Sequence, residues 1–210
     1  FTTISEQMEA EDLSNFLNFY LTNMCDIALR YGGTIDKFIG DSLMIFFGDP
    51  ETKGAKEDAA ACCDMALEML AFLESNQQHF QETYNFPEKL EVRVGIHNGL
   101  CNVGNFGSAQ RLDYTAIGRA VNVASRLEQA APKNSILVSS TVRNLIKNKF
   151  ETSSPIEVKA KGIDKPIASY VLTKITSESK KVTKEIDGFK LEYDPQKIDR
   201  KTLLKIIDEL

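Results

Sequence analysis

The sequence predicts an α+β fold, in which a ferredoxin-like mixed sheet is flanked by helices. Helical patterns and short β-rich runs alternate along most of the 210 residues. Two of the connections resemble hairpin turns, at Gly40-Asp41 and at Asn98-Gly99. Because hairpins pair sequential strands antiparallel, they favour this class over a doubly wound parallel sheet.

The first half of the chain contains two long amphipathic helices with a β-rich ribbon between them. Apolar residues at three- and four-residue spacing predict the helices, and Gly32-Gly33 ends the first one. The ribbon is enriched in Ile and Phe on both sides of a Gly-Asp pair, which predicts a hairpin. The elements predicted here are helices over 9–31 and 55–79 and strands over 34–39 and 42–47.

The second half alternates strands with helices. Strict alternation of Leu90, Val92, Val94 and Ile96 predicts a strand, and Asn98-Gly99 predicts a turn after it. Residues 104–110 are predicted to be a loop. The remaining predictions are strands over 100–103, 114–117, 135–139, 156–161 and 167–173, and helices over about 119–131 and up to about 147.

Composition divides the chain into a main domain, residues 1–175, and a C-terminal extension, residues 176–210. The segment TSESKKVTKE after Ile175 is polar and charged, which predicts a linker. A small strand over 189–193 and a helix over 201–210 are predicted after it. The chain opens at Phe1 in mid-pattern, so we expect it to be a piece of a longer protein, and a membrane or sensor domain upstream is left open.

Bulk composition excludes several classes of protein. The net charge of −5 and pI of about 5.2 argue against a nucleic-acid partner. No apolar run approaches the ~20 residues that span a bilayer. The four cysteines lack CxxC spacing, which favours buried free thiols over a metal site. Free thiols are in turn typical of a cytoplasmic location.

Three segments contain residues suited to binding a metal ion or phosphate. In the ribbon, Asp41 at the hairpin tip can bind a metal ion and Lys37 can donate hydrogen bonds, or both can simply be solvated. In DYTAIGRAVNVASRLE, residues 113–128, Asn122 and Arg126 share one helix face, on which Arg126 offers donors to phosphate. The alternative is an amphipathic helix with both residues in water.

The third segment is VKAKG, in which Lys159 and Lys161 share one strand face by period two. Either side chain could reach a polyphosphate. Each could equally be an ordinary surface lysine. Residue types and spacing leave these alternatives open.

The motifs together resemble the catalytic domain of class III nucleotidyl cyclases, specifically the bacterial adenylate cyclases. The resemblance covers residues 1–173, with FTTISE similar to the end of the family's D-I-x-G-F-T segment. The matching motifs, in order, are GGTIDKFIGDSLMIFFG, VRVGIHNG, VGNFGS, DYTAIGRAVNVASRLE and KGIDKPI. The resemblance implies the class III cyclase fold and lyase activity. In that reaction the 3′-hydroxyl of ATP attacks the α-phosphorus of the same molecule, giving cyclic AMP and pyrophosphate.

The resemblance also implies a homodimer with its active sites at the interface. One subunit would supply the metal ligands, and the other would bind base, ribose and phosphates. Two ions per site, Mg²⁺ or Mn²⁺, would be held by two aspartates. Asp41 matches the second aspartate, and the first would lie three residues before Phe1. Thr115, seven residues before Asn122, would read adenine together with Lys37.

The same resemblance assigns the sugar and phosphate contacts. Asn122 would orient the ribose, Arg126 would stabilise the pentavalent phosphate, and Lys159 or Lys161 would hold the terminal phosphates, with both registers open. Because guanylate cyclases tend to have Glu at the position of Lys37, the resemblance favours ATP. The alternatives are a guanylate cyclase and a non-catalytic regulatory cyclase-like domain.

Overall fold

Residues 7–158, 166–175, 182–186 and 189–193 are described by the computed structural model. They belong to two compact units, Phe1–Lys174 and Ile175–Leu210. In the second unit, the strands Val182–Ile186 and Phe189–Tyr193 pair antiparallel. The first of these begins inside the segment predicted to be a linker. Its Val, Thr and Ile favour a strand, although the surrounding charge obscures that signal.

The helices of the first unit lie close to where the apolar spacing predicts them. The predicted 55–79 helix is the exception, because it is interrupted at Asn76, whose side-chain amide donates to the carbonyl of Phe72. Gln77 then bonds through its side chain to the backbone of Leu90. The helices are α1 (Ala10–Arg30), α2 (Ala55–Ser75), α3 (Gln77–Tyr84), α4 (Arg119–Ala130) and α5 (Ser140–Ile146).

Nine strands lie among the described residues of the first unit and at its end. Those in the described residues are β1 (Thr34–Ile39), β2 (Ser42–Phe46), β3 (Arg93–Ile96), β4 (Asn102–Ser108), β5 (Arg111–Ile117), β6 (Ser135–Ser139), β7 (Phe150–Thr152), β8 (Ile156–Val158) and β9 (Ile167–Ile175). A mixed five-stranded sheet has the order β3-β6-β9-β7, with β8 also paired to β9. Strands β3 and β6 are parallel, whereas β6 and β9 are antiparallel. Two further hairpins, β1-β2 and β4-β5, form sheets of their own.

The turn predicted at Asn98-Gly99 is wrong, as is the loop predicted over 104–110. Strand β3 pairs with β6 rather than with a returning strand, and the hairpin is instead β4-β5. A Cβ at Gly99 would lie 2.9 Å from His97 Nε2 and 3.1 Å from Ala120 Cβ. Glycine is therefore required there by close packing, and the dipeptide only imitates a turn signal.

Helices cover the sheets around three apolar clusters. One cluster packs α1, α2 and α3 around Phe16 and Phe80, and a second packs α2 and α5 on β6 around Ile136 and Val138. A third lies under α4 around Leu127. All four cysteines are free; Cys63 is buried, but the expectation of burial is wrong for the exposed Cys101. Within the described helices, none is long and apolar enough to cross a membrane.

Candidate active site

The hairpin β1-β2 places Asp41 at its tip, as predicted. Ile39 and Ser42 are paired, so Gly40 and Asp41 form a two-residue turn. Gly40 has φ +65°, the left-handed conformation that such turns require and that glycine adopts without strain. Asp41 is half-buried beside this glycine.

The negative charge of Asp41 acts on two neighbouring elements. Burial raises the pKa of Tyr20 in α1 to about 12, with Asp41 as the next cause. Burial also raises the pKa of Glu128 in α4, Arg93 opposes it, and Asp41 adds to the rise. The Asp41 carboxylate is therefore close enough to α1 and α4 for its negative charge to act on side chains of both helices.

A bulge in β1 directs a buried carboxylate toward β5. Ile35 pairs with Ile45 and Lys37 pairs with Met44, so Asp36 is the extra residue on its strand. Bulges re-aim side chains in this way. The side chain of Asp36 is 0% exposed.

Three donors converge on the Asp36 carboxylate. The hydroxyl of Thr115 lies 2.8 Å from both of its oxygens, and the backbone N–H of Ala116 donates to Oδ2 at 2.8 Å. Lys37 Nζ lies 3.2 Å from Oδ1. The structure thus brings Lys37 and Thr115, both predicted to read the base, together on a third residue that sequence reasoning missed.

The signal for Asp36 was present but incomplete. An aspartate buried in the strand TIDKFI requires a partner, because a buried carboxylate without one is costly. Its partners are 79 and 80 residues away on β5, and nothing in the local pattern identifies them.

Helix α4 presents Asn122 and Arg126 as the spacing predicts. Asn122 is exposed, and Arg126 is half-buried with Nη1 donating to Gln129 Oε1 at 2.9 Å. Among the hydrogen bonds and ion pairs of the described residues, none joins Asp41, Asn122 or Arg126 to Lys37. Within the described residues, Lys37 and Thr115 are thus joined through Asp36, whereas Asp41 has no hydrogen bond or ion pair to either of them.

Two predicted phosphate ligands, Lys159 and Lys161, lie outside the described residues. His97 is bound within the protein, with Nδ1 2.9 Å from the hydroxyl of the buried Ser139. Burial lowers the pKa of His97, and the charge of Arg119 lowers it further. An imidazole bonded to an interior hydroxyl is consistent with a structural role for His97.

The residues present fit part of a metal site. Mg²⁺ and Mn²⁺ prefer carboxylate oxygens, and the half-buried Asp41 at the hairpin tip supplies such a group. Within the described part of the chain, no three His, Cys, Asp or Glu side chains are grouped so that they could hold a metal alone.

Fold and motifs together define a nucleotide-cyclising catalytic domain. A family model of the adenylate and guanylate cyclase catalytic domain matches residues 1–174. The chain belongs to this family of class III cyclases, which confirms both the resemblance and the expected fold class.

Relatives of both substrate types are similar to the chain. An adenylate cyclase of Anabaena cylindrica is 36% identical over 175 residues, covering 81% of this chain and 34% of the relative. A receptor-type guanylate cyclase of Caenorhabditis elegans is 32% identical over 189 residues, covering 85% and 16%. The chain thus spans about a third or less of the length of these curated relatives.

Solved structures match closely over most of the first unit. The adenylyl cyclase CyaB from P. aeruginosa aligns with a TM-score of 0.80 and 44% identity, covering 84% of this chain and 90% of that one. The guanylyl cyclase Cya2 aligns with a TM-score of 0.78 and 29% identity, covering 85% and 88%.

Proposed function

We propose that this chain is an adenylate cyclase, converting ATP to 3′,5′-cyclic AMP and pyrophosphate at the interface of a homodimer. The observation that supports it most directly is the placement of Lys37 and Thr115 on one buried carboxylate. The Lys37 ammonium is a donor only, which suits the N1 acceptor of adenine and not the N1–H of guanine. With GTP the Lys37 ammonium would face another donor, and the lost hydrogen bond would disfavour GTP by about tenfold to a hundredfold.

The remaining contacts follow from α4 and the hairpin tip. Asn122 would orient the ribose, and Arg126 would hold the α-phosphate oxygens as charge develops on them. Lys159 or Lys161 would hold the terminal phosphates. With the ribose and phosphate fixed, the 3′-oxygen attacks in line, its proton leaves, and the bond to pyrophosphate breaks. Much of the rate enhancement is then positional.

Divalent ions complete the proposed chemistry. Asp41 would hold Mg²⁺ or Mn²⁺, two ions per site, together with the aspartate expected before Phe1. When bound, the ions supply positive charge to the 3′-oxygen and to the phosphates. Asp41, Asn122 and Arg126 are all present, which argues against a non-catalytic regulatory domain.

Exposed apolar side chains support pairing of two copies. Phe38 and Ile39 of β1 are 50% and 61% exposed, and Leu112 and Ile117 of β5 are 61% and 47% exposed. The two hairpins are joined through Asp36 and Thr115, so these residues lie on connected elements. Apolar residues clustered at a surface are typical of interfaces. We propose that a second copy of the chain covers them.

A guanylate cyclase is the second candidate. It is favoured by the relatives of that name, among them the C. elegans receptor at 32% identity and Cya2 at 29%. The donor-only ammonium of Lys37 argues against it. Turnover of ATP and GTP measured side by side distinguishes the two candidates.

The proposal is tested by measuring cyclic AMP formed by the full-length protein with Mg²⁺ or Mn²⁺. Arg126→Ala should lower kcat by about 10²–10³ and change KM much less, because its contact strengthens in the transition state. Arg30→Ala is the matched control, since it removes an exposed guanidinium paired with Glu68 on the surface. No cyclic AMP from the wild-type protein, or equal rates for the Arg126 and Arg30 variants, would contradict it.

A further inference from the structure

We infer that Asp36 fixes the hydrogen-bonding direction of Thr115 and thereby helps to select adenine over guanine. This inference rests on the proposed adenylate cyclase function. Asp36 is a positioning residue in it, because its side chain is 0% exposed and does not itself reach a nucleotide. It would act through the two residues bound to its carboxylate.

A hydroxyl can either donate or accept, and its surroundings decide which it offers to a ligand. Thr115 Oγ1 lies 2.8 Å from both oxygens of Asp36. A carboxylate only accepts, so the single proton of the hydroxyl is directed to Asp36. What remains on Thr115 for any ligand is the lone pairs of its oxygen.

The backbone and Lys37 maintain this direction. The N–H of Ala116 and the ammonium of Lys37 both point toward the carboxylate, at 2.8 and 3.2 Å. Both groups are donors, so the Asp36 oxygens act as acceptors toward them as well as toward Thr115. The bulge at Asp36 is what brings a residue of β1 into contact with β5.

The result is a donor and an acceptor side by side, with Lys37 donating and Thr115 accepting. The Watson–Crick edge of adenine is complementary to this donor and acceptor, because it has an acceptor at N1 and an amino donor at C6. Guanine offers the reverse, a donor at N1 and a carbonyl acceptor at C6. A threonine whose proton was free could rotate to donate to guanine, and the Asp36 contact prevents that rotation.

The test is Asp36→Asn, which replaces one accepting oxygen by a donating amide. Because the N–H of Ala116 still requires one oxygen, the amide nitrogen replaces the other. The Thr115 hydroxyl then keeps one acceptor instead of two, so its proton is freer to turn toward the ligand. We expect the ratio of kcat/KM for GTP to that for ATP to rise about tenfold. The inhibition constant of GTP, measured against ATP turnover, should decrease as the ratio rises. Asp113→Asn, a matched change at an exposed carboxylate of β5, should leave the ratio unchanged.

A double variant separates this role from a merely structural one. In a Thr115→Val background there is no hydroxyl to direct, so adding Asp36→Asn should change the ratio less than about twofold. The inference is overturned if Asp36→Asn lowers both turnovers equally, or shifts the ratio as much without the Thr115 hydroxyl as with it.

A measurement on the wild-type protein covers the case in which Asp36→Asn does not fold. Purine riboside triphosphate keeps N1 but lacks the 6-amino group, so it should show a kcat/KM about tenfold below that of ATP. Equal values would mean that no acceptor faces position 6, and the inference would fail. Absence of wild-type ATP turnover would instead contradict the proposed function itself.

Discussion

At the residue scale, the half-buried imidazole of His97 links stability to pH. Burial and Arg119 lower its pKa in the folded protein. Between that value and the ordinary pKa of about 6.5, the unfolded chain binds more protons than the folded one. The free energy of unfolding should therefore fall as pH drops below about 6.5.

The chain has two histidines, so the test has a natural control. Urea unfolding at about pH 7.5 and pH 5.5 should show a smaller loss of stability for His97→Gln than for the wild type. His79→Gln removes the exposed histidine and should behave as the wild type does. An identical pH dependence in all three proteins would show that His97 is not the responsible group.

Single residues also show how far the sequence could predict the site. Lys37, Thr115, Asn122, Arg126 and Asp41 were predicted from motifs, and their roles remain predictions. Asp36 could not be found this way, because its partners on β5 are close only after folding. A local pattern contains no information about which distant strand a bulge faces.

At the element scale, α4 packs directly on β3 at Gly95. A Cβ there would lie 2.2 Å from the backbone N of Glu128 and 2.4 Å from the carbonyl O of Ala124. Both of these neighbouring atoms belong to the helix backbone, so no side-chain rotation could relieve the clash. Helix α4 can therefore lie this close to the sheet only with glycine at this position, and the same helix positions Asn122 and Arg126.

Gly95→Ala should consequently lower the free energy of unfolding by at least about 2 kcal/mol. Gly104→Ala is the control, since a Cβ in β4 would meet only Phe106, at 3.9 Å. That variant should stay within about 1 kcal/mol of the wild type. Denaturant unfolding measures both, and equal stabilities would contradict the close helix-strand contact.

Elements with strong periodicity were predictable, whereas connections were not. Helix α1 and the hairpin β1-β2 lie within a residue or so of their predicted bounds. The hairpin β4-β5 was missed because the glycines and polar residues of its first strand are typical of a loop. Its pairing with β5 over seven residue pairs overrides that local preference.

At the scale of the whole molecule, the predicted fold class is confirmed by the match to cyclase structures. The alternation of helices and strands was sufficient for the class, but not for the order β3-β6-β9-β7. Strand order depends on long-range pairing, which short sequence patterns do not specify. The assignment of 176–210 to a linker and extension stays a prediction.

The proposed active site is shared between two subunits and is therefore a property of the dimer. In one chain, Lys37 and Thr115 are joined through Asp36, while none of the described hydrogen bonds or ion pairs connects Asp41 or Arg126 to them. In the proposed homodimer each nucleotide takes metal ligands from one subunit and the base and phosphate contacts from its partner. A subunit that lacks Asp41 could then still supply Arg126 to one site, and a subunit that lacks Arg126 could still supply Asp41.

Mixing two inactive full-length variants, Asp41→Ala and Arg126→Ala, tests this claim most directly. A mixed dimer has one site with both defects and one intact site, so random pairing should restore about a quarter of the wild-type specific activity. Mixing Asp41→Ala with the Asp41→Ala/Arg126→Ala double variant should restore none. Absence of cyclic AMP in the first mixture, despite mixed dimers verified by native mass spectrometry, would contradict the account.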